Sequence, residues 1–326
     1  MLVFGVFLLC LSHCFASPSL FKLNVTLWHV VWVGGQSNSV GTNSQLSGNY
    51  PTWPTTPLIQ NYCWNNKRVA SCPNGTFTSA QVPLFNEANV GFSQTFSNLL
   101  LQTLPVGHGV IIVNTGVGGT GFEDGDWTPP NGSLVVQSVN AMQQLANQVS
   151  LQLGGDFKLD VLLWHQGEED AGDNRVNYHS DYCTYLINDL SALIDYLRLQ
   201  FPKASPSTPF VDGQLLPYWI DNVVNGTGDV PHAITSLNTS RACTATANSR
   251  IFADFKPDKI TPNGDPKYRS GASGDVIHFD ATQQFFFGFE YWSAYLRSTS
   301  LTSVVPSSQT QQCPNANIQP SVTLCG

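Results

Sequence analysis

Runs rich in apolar and β-branched residues recur along the chain over residues 27–33, 109–114, 159–164, 210–215 and 250–253, each bounded by turn residues. Between them, apolar positions spaced three and four apart predict helices over 92–101, 134–153 and 178–201, and a last one over 281–297. In the third helix Tyr182, Tyr185, Leu186, Leu193, Ile194 and Leu197 fall on one face, while Asp181, Asp189 and Asp195 fall mostly off it. That face is a core face. Near-continuous apolar strands alternating with helices predict a central parallel sheet covered on both sides, a three-layer α/β/α arrangement of flavodoxin-like type. Residues 41–89 are rich in Pro, Asn, Ser and Thr without clear periodicity and read as long loops, which beside a strand end are more often functional than decorative.

The two ends of the chain read differently from its middle. Met1–Ala16 is apolar and ends in Cys14-Phe15-Ala16 before Ser17, a pattern that suits a cleaved signal peptide, although no Lys or Arg precedes it. The expected organisation is a leader over 1–16, one domain over 17–298, and a Ser/Thr/Gln-rich tail over 299–326. The expected location is extracellular. Removal of the leader takes Cys10 and Cys14 out of the 8 cysteines and leaves an even set: Cys63, Cys72, Cys183, Cys243, Cys313 and Cys325. An even set in a secreted chain reads as disulfides. Spacing favours Cys63 with Cys72 and Cys313 with Cys325, leaving Cys183 with Cys243, although other pairings are open. Sequons at Asn24, Asn74, Asn131, Asn225 and Asn238 are compatible with a secretory route.

Composition narrows the partners. With 14 basic and 22 acidic residues the net charge is −8, which argues against nucleic acid and offers no basic face to anionic lipid. No second apolar run approaches the length needed to cross a bilayer. The cysteines lack zinc-site spacing, and the acidic runs Glu123–Asp126 and Glu168–Asp173 lack the alternating ligands of a calcium loop, so no metal and no cofactor are expected. Gly116-x-Gly118-x-x-Gly121 follows a strand, but Phe122-Glu123-Asp124-Gly125-Asp126 comes next, where a dinucleotide site would open a helix on its last glycine.

The candidate chemistry lies just beyond strand ends. Ser37 follows the first strand in Gly35-Gln36-Ser37-Asn38, Gly118 and Gly119 follow the second, and Gln166 follows the third in Trp164-His165-Gln166-Gly167-Glu168. In a doubly wound sheet such loops meet at one crevice. His278, in Asp275-Val276-Ile277-His278, stands immediately before the last helix, where its loop can fold back over the same edge. Of the other histidines, His29 sits in an apolar strand and reads as a satisfied core residue, His165 is close enough to line the crevice, and His108, His179 and His232 have no neighbouring signal.

Gly-Gln-Ser-Asn, Gly-Gly-Thr, Trp-x-Gln-Gly-Glu-x-Asp and Asp-x-x-His, in that order on those elements, resemble the sialate O-acetylesterase type of SGNH hydrolase, which includes the family six carbohydrate esterases such as acetylxylan esterases. The resemblance spans residues 27–297. It implies Ser37 as nucleophile, His278 as general base and then acid, and Asp275 as the carboxylate that orients the imidazole. It also implies an oxyanion hole of the Ser37 and Gly119 backbone N–H groups and the Gln166 side-chain amide. Gln36, Asn38, Gly118 and Glu168 would stand behind these groups. Ser39, where relatives often carry Met, and Glu169, in place of a small residue, depart from the pattern without touching a named role.

Trp53, Trp64, Trp127 and Trp219 fall in loops, where aromatic faces suit stacking on sugar rings. The expected activity is removal of acetyl groups from a carbohydrate by a monomeric serine esterase, with neutral polymers such as xylan favoured over polyanionic glycans by the chain's charge. Two other readings stand beside it: a carbohydrate-binding protein on the same fold without catalysis, and a general short-chain or lipid esterase. Turnover of a chromogenic acetate separates the first, and preference for longer acyl chains the second.

Overall fold

The computed structural model describes residues 24–42, 53–64, 73–79, 91–172, 182–216, 229–249 and 278–300. The expected leader, most of the expected tail, Asp275 and Trp219 lie outside the described residues, as does the strand expected over 250–253.

Seven strands form one sheet: β1 (Leu27–Gly35), β2 (Ile59–Cys63), β3 (Thr76–Ser79), β4 (His108–Asn114), β5 (Asp156–His165), β6 (Phe210–Gly213) and β7 (Thr244–Ala247). Their order across the sheet is β3-β2-β4-β1-β5-β6-β7. All neighbours pair in parallel except the edge strand β3, which runs antiparallel to β2. The helices are α1 (Phe92–Thr103), α2 (Ser133–Gln148), α3 (Glu168–Gly172), α4 (Tyr182–Gln200), α5 (Asp229–Ser240) and α6 (Ala281–Ser300). A turn of π-helix over Val149–Leu153 ends α2, so the helix expected over 134–153 changes its hydrogen-bond spacing before it stops.

Side-chain alternation explains why the central strands are apolar throughout. Trp28, Val30 and Trp32 of β1 pack into one core with Ile111, Leu162 and Phe210 under α2, α4 and α5. Val31 and Val33 turn to the other core with Val110, Val161 and Val211 under α1 and α6. Each face of the sheet is therefore covered, and each helix contributes one stripe: Phe92, Phe96 and Leu100 from α1, Leu190, Leu193 and Leu197 from α4. This is the three-layer α/β/α flavodoxin-like architecture.

The segment expected to be loops contains β2 and β3. These strands escape a search for apolar runs because Ile-Gln-Asn-Tyr-Cys and Thr-Phe-Thr-Ser are half polar, as suits the margin of a sheet. Cys63 and Cys243 are disulfide-bonded, and Cys72, Cys313, Cys325 and the side chain of Cys183 lie outside the described residues. Of the sequon asparagines, Asn24, Asn74 and Asn131 are exposed. Asn238 instead donates its amide to Thr246 Oγ1 at 2.5 Å and buries its carbonyl oxygen. Among the described residues no helix is long and apolar enough to cross a membrane.

Candidate active site

Strands β4, β1 and β5 are neighbours, so the loops at their carboxyl ends are stitched directly together. The Gln36 N–H donates to His165 O (2.9 Å), and the Val117 N–H donates to Gly35 O (2.9 Å). Gly35 has a positive φ of 116°, and a Cβ there would collide with the His165 backbone, so only glycine lets β1 turn this close to β5. The chain then enters a short 3-10 turn, Ser37–Val40, closed by the Thr42 N–H on Ser37 O (3.0 Å). At the end of β4 the Asn114 side chain donates to Ser39 O (2.8 Å) and accepts from the Gly116 N–H (2.9 Å), which fixes the second loop against the first.

Ser37 opens that turn and is 6% exposed. Among the described residues none hydrogen-bonds its hydroxyl, so the turn does not need the Ser37 Oγ for its own stability. The backbone N–H groups of Ser37 and Gly119 likewise donate to no described residue. Gly119 lies at φ 68°, with open space where a Cβ would stand. Two backbone donors just beyond the ends of β1 and β4 are therefore without an acceptor among the described residues.

Asn38 connects three of the four sequence blocks. Its Nδ2 donates to Glu168 Oε1 (2.6 Å), its Oδ1 accepts from the Phe279 N–H (3.0 Å), and its backbone O accepts from Gln284 Nε2 (3.0 Å). Because Phe279 follows His278 and Asn38 follows Ser37, this one buried amide holds the base candidate's loop beside the nucleophile candidate. His278 itself is half-buried at the start of α6.

Behind Asn38 runs a chain of buried polar groups. Glu168 Oε1 also accepts from His165 Nε2 (3.0 Å), His165 Nδ1 meets the Tyr291 hydroxyl (3.2 Å), and that hydroxyl donates to Trp164 O (2.7 Å). The His165 imidazole is thus held at both ring nitrogens, by Glu168 on one side and Tyr291 on the other. Rings of Phe279 and Phe287 stand edge-on to it, each 5.5 Å away. Burial pushes the Glu168 carboxyl up, but the charge of His165 and the hydrogen bonds from His165 and Asn38 outweigh it and hold the group below its ordinary value. Tyr291 goes the other way, raised well above the usual phenol range by burial and by the carboxyls of Asp212 and Glu168.

Gln166 is 2% exposed. Its Nε2 donates to Asp170 Oδ2 at 2.5 Å and makes two longer contacts of 3.4 Å, to Gln36 Oε1 and Thr120 O. The Gln36 carbonyl oxygen also takes the Glu169 N–H (3.1 Å), so Gln36 braces both Gln166 and the start of α3.

The tryptophans need a correction. Trp127 is fully buried, stands edge-on to Trp164 at 4.8 Å, and gives its indole N–H to Thr120 Oγ1 (3.1 Å); no face is left for a sugar. It anchors the loop that carries Gly118 and Gly119. Trp53 stacks on Phe285 of α6 (5.9 Å) and donates to Thr95 of α1 (3.1 Å), and Trp64 packs against the core. Among the described residues no group of three or more His, Cys, Asp or Glu side chains could hold a metal ion.

A family model described as "Carbohydrate esterase, sialic acid-specific acetylesterase" matches residues 28–248, from the first strand through the last. The chain belongs to this family. Carbohydrate esterases of this type therefore provide the frame for the loops just described, with Ser37 and Gln166 inside the matched span and His278 beyond it. Among solved structures, that of NanS aligns with a TM-score of 0.60 at 17% identity, covering 84% of this chain and 98% of its own. A protein from Arabidopsis thaliana aligns with a TM-score of 0.56 at 18% identity, covering 82% of this chain and 98% of its own. At such identities these structures establish a shared α/β fold and nothing more. No curated protein sequence matches.

Proposed function

We propose that this carbohydrate esterase is a secreted serine enzyme that removes O-acetyl groups from a glycan through an acetyl-enzyme intermediate. The observation that carries the reading is the Asn38 junction, which draws the Ser37 turn, the Glu168 helix and the His278 loop to one point. Ser37 Oγ attacks the acetyl carbonyl carbon while His278 takes its proton, with Asp275 orienting the imidazole. The carbonyl oxygen becomes an oxyanion, held by the N–H groups of Ser37 and Gly119 and by the Gln166 amide. Collapse breaks the ester bond, and the departing sugar oxygen takes the proton from His278. Water, deprotonated by the same histidine, then attacks the acetyl-serine and releases acetate and free Ser37.

The net charge of −8 favours a neutral acetylated polymer such as xylan over polyanionic glycans. Secretion follows from the leader and accords with the disulfides at Cys63 and Cys243 and the exposed sequon asparagines. Acetate release from a panel of acetylated glycans, by the natural chain and by Ser37→Ala, tests the reading. The serine variant should lose about 10⁴-fold or more of kcat with an unchanged Tm, because its hydroxyl supports no described contact. Retained turnover in Ser37→Ala would reassign the nucleophile, and faster deacetylation of sialic acid or pectin than of xylan at low salt would reverse the substrate preference.

A further inference from the structure

We propose that Asp170 is a positioning residue that sets the transition-state amide of Gln166, an inference that rests on the oxyanion role given to Gln166 above. Asp170, on α3, lies four residues after Gln166, which precedes the helix, and is fully buried. Its Oδ2 accepts from Gln166 Nε2 (2.5 Å) and from the Phe122 N–H (3.3 Å), and its Oδ1 accepts from the Glu123 N–H (3.4 Å). The carboxylate is thus anchored on the loop that follows Gly119 and turned toward the glutamine. A Cβ at Gly121 would overlap Asp170 Oδ1, so the loop has a glycine where the carboxylate presses against it.

Proton accounting shows what this does. A primary amide has two N–H groups. Asp170 takes one of the Gln166 protons in a short, charge-assisted bond, which also establishes that nitrogen and not oxygen stands at this position. The other proton has only the 3.4 Å contacts to Gln36 Oε1 and Thr120 O, and an oxyanion at ordinary hydrogen-bond distance outcompetes both. Asp170 therefore fixes the rotamer of Gln166 while leaving one donor to give. Asparagine cannot replace it: with its oxygen toward Gln166 and the Phe122 N–H its amide faces the Glu123 N–H, and with its oxygen toward the Glu123 N–H its amide faces both Gln166 and the Phe122 N–H. Either orientation sets donor against donor.

The test uses the full chain and two readouts. For hydrolysis of p-nitrophenyl acetate, Asp170→Asn should lower kcat about 10- to 100-fold with KM unchanged, the size expected for a misplaced transition-state donor. In a Gln166→Ala background the same substitution should cost less than about threefold, because the group it acts through is gone. Equal losses in both backgrounds, a loss confined to KM, or an inert Gln166→Ala overturns the proposal. Selective ¹⁵N-glutamine labelling gives a readout free of turnover: one Gln166 side-chain proton should resonate downfield and exchange slowly, and Asp170→Asn should shift it while other glutamine signals stay. A resonance that does not shift refutes the positioning contact even in an active enzyme. A shift in a protein without turnover supports the contact and refutes the esterase reading instead. Gly121→Ala displaces the carboxylate without removing it, should give the same signature, and serves if the asparagine variant does not fold.

Discussion

Strands β4, β1 and β5 carry a buried histidine–carboxylate contact at each end, and the two contacts lead to different places. At the carboxyl ends His165 and Glu168 pair at 3.0 Å, and the chain continues through Asn38 to the turn that holds Ser37. At the amino ends His29 Nδ1 donates to Asp160 Oδ2 (2.6 Å), while Asp160 Oδ1 pairs with Lys158 (2.8 Å) and His29 Nε2 shares a proton with His108 Nδ1 (2.9 Å). The lower chain leads outward, to a lysine that is 50% exposed. The upper one is enclosed, with both side chains at or below 1% exposure. An ion pair that reaches solvent is relieved by water and by a second cation, whereas an enclosed pair has only its own partners. The lower contacts thus tie three strands together, and the upper ones orient groups beside the candidate nucleophile.

Removing the carboxylate from each end should separate those roles. Glu168→Gln leaves His165 facing a neutral amide and loosens Asn38, so kcat should fall about 100-fold and stability by about 3 kcal/mol. Asp160→Asn should cost about 1–2 kcal/mol, discounted for solvent near Lys158, and leave kcat unchanged. Denaturant melts and acetate-release kinetics on both variants decide the matter; equal losses of kcat would erase the distinction between the ends.

A third buried carboxyl sharpens the comparison through pH. Asp212, opposite Trp164 and Thr246 on the sheet, has both carboxyl oxygens buried without a close hydrogen-bond partner among the described residues. Burial pushes its carboxyl from 3.8 up to about 8, with the neighbouring Thr246 hydroxyl opposing this only in part. The folded protein then holds a proton that the unfolded chain has lost, so stability from this group falls as pH rises from about 4 to about 8. Glu168 has the opposite sign: its depressed value contributes stability above the ordinary carboxylate range that is lost as pH falls below it. Asp212→Asn should therefore raise Tm more at pH 8 than at pH 5, by about 1–3 kcal/mol in equivalent stability. An equal change at both pH values would show that Asp212 is ionised in the fold. The smallest effect should come from Lys158→Ala, within about 0.5 kcal/mol and silent in kcat, as measured by the same melts.

Much of this was legible in the sequence, and the reason lies in burial. The central strands read clearly because both faces are covered, and Ser37, Gly119 and Gln166 fell at adjacent strand ends as the order β4-β1-β5 requires. The edge strands did not read, since Thr-Phe-Thr-Ser and Thr-Ala-Thr-Ala have no apolar run to find. Trp127 misled because a loop tryptophan whose N–H meets Thr120 leaves the same trace in sequence as an exposed one. His108 gave no signal, as its partner His29 lies on a neighbouring strand 79 residues away. Asp170 left no periodic trace either, since Gln166 and Gly167 precede α3 and the contact depends on how the chain enters that helix.

The hydrogen bond from the Phe279 N–H to Asn38 joins positions 241 residues apart. Chains emerge from the ribosome amino end first, and contacts of such long sequence separation form late. The turn bearing Ser37 is therefore synthesised long before the segment that brings His278 to it. Under the proposed mechanism, a growing chain therefore has no base beside Ser37 until residues 278–300 have been made and α6 can pack against α1.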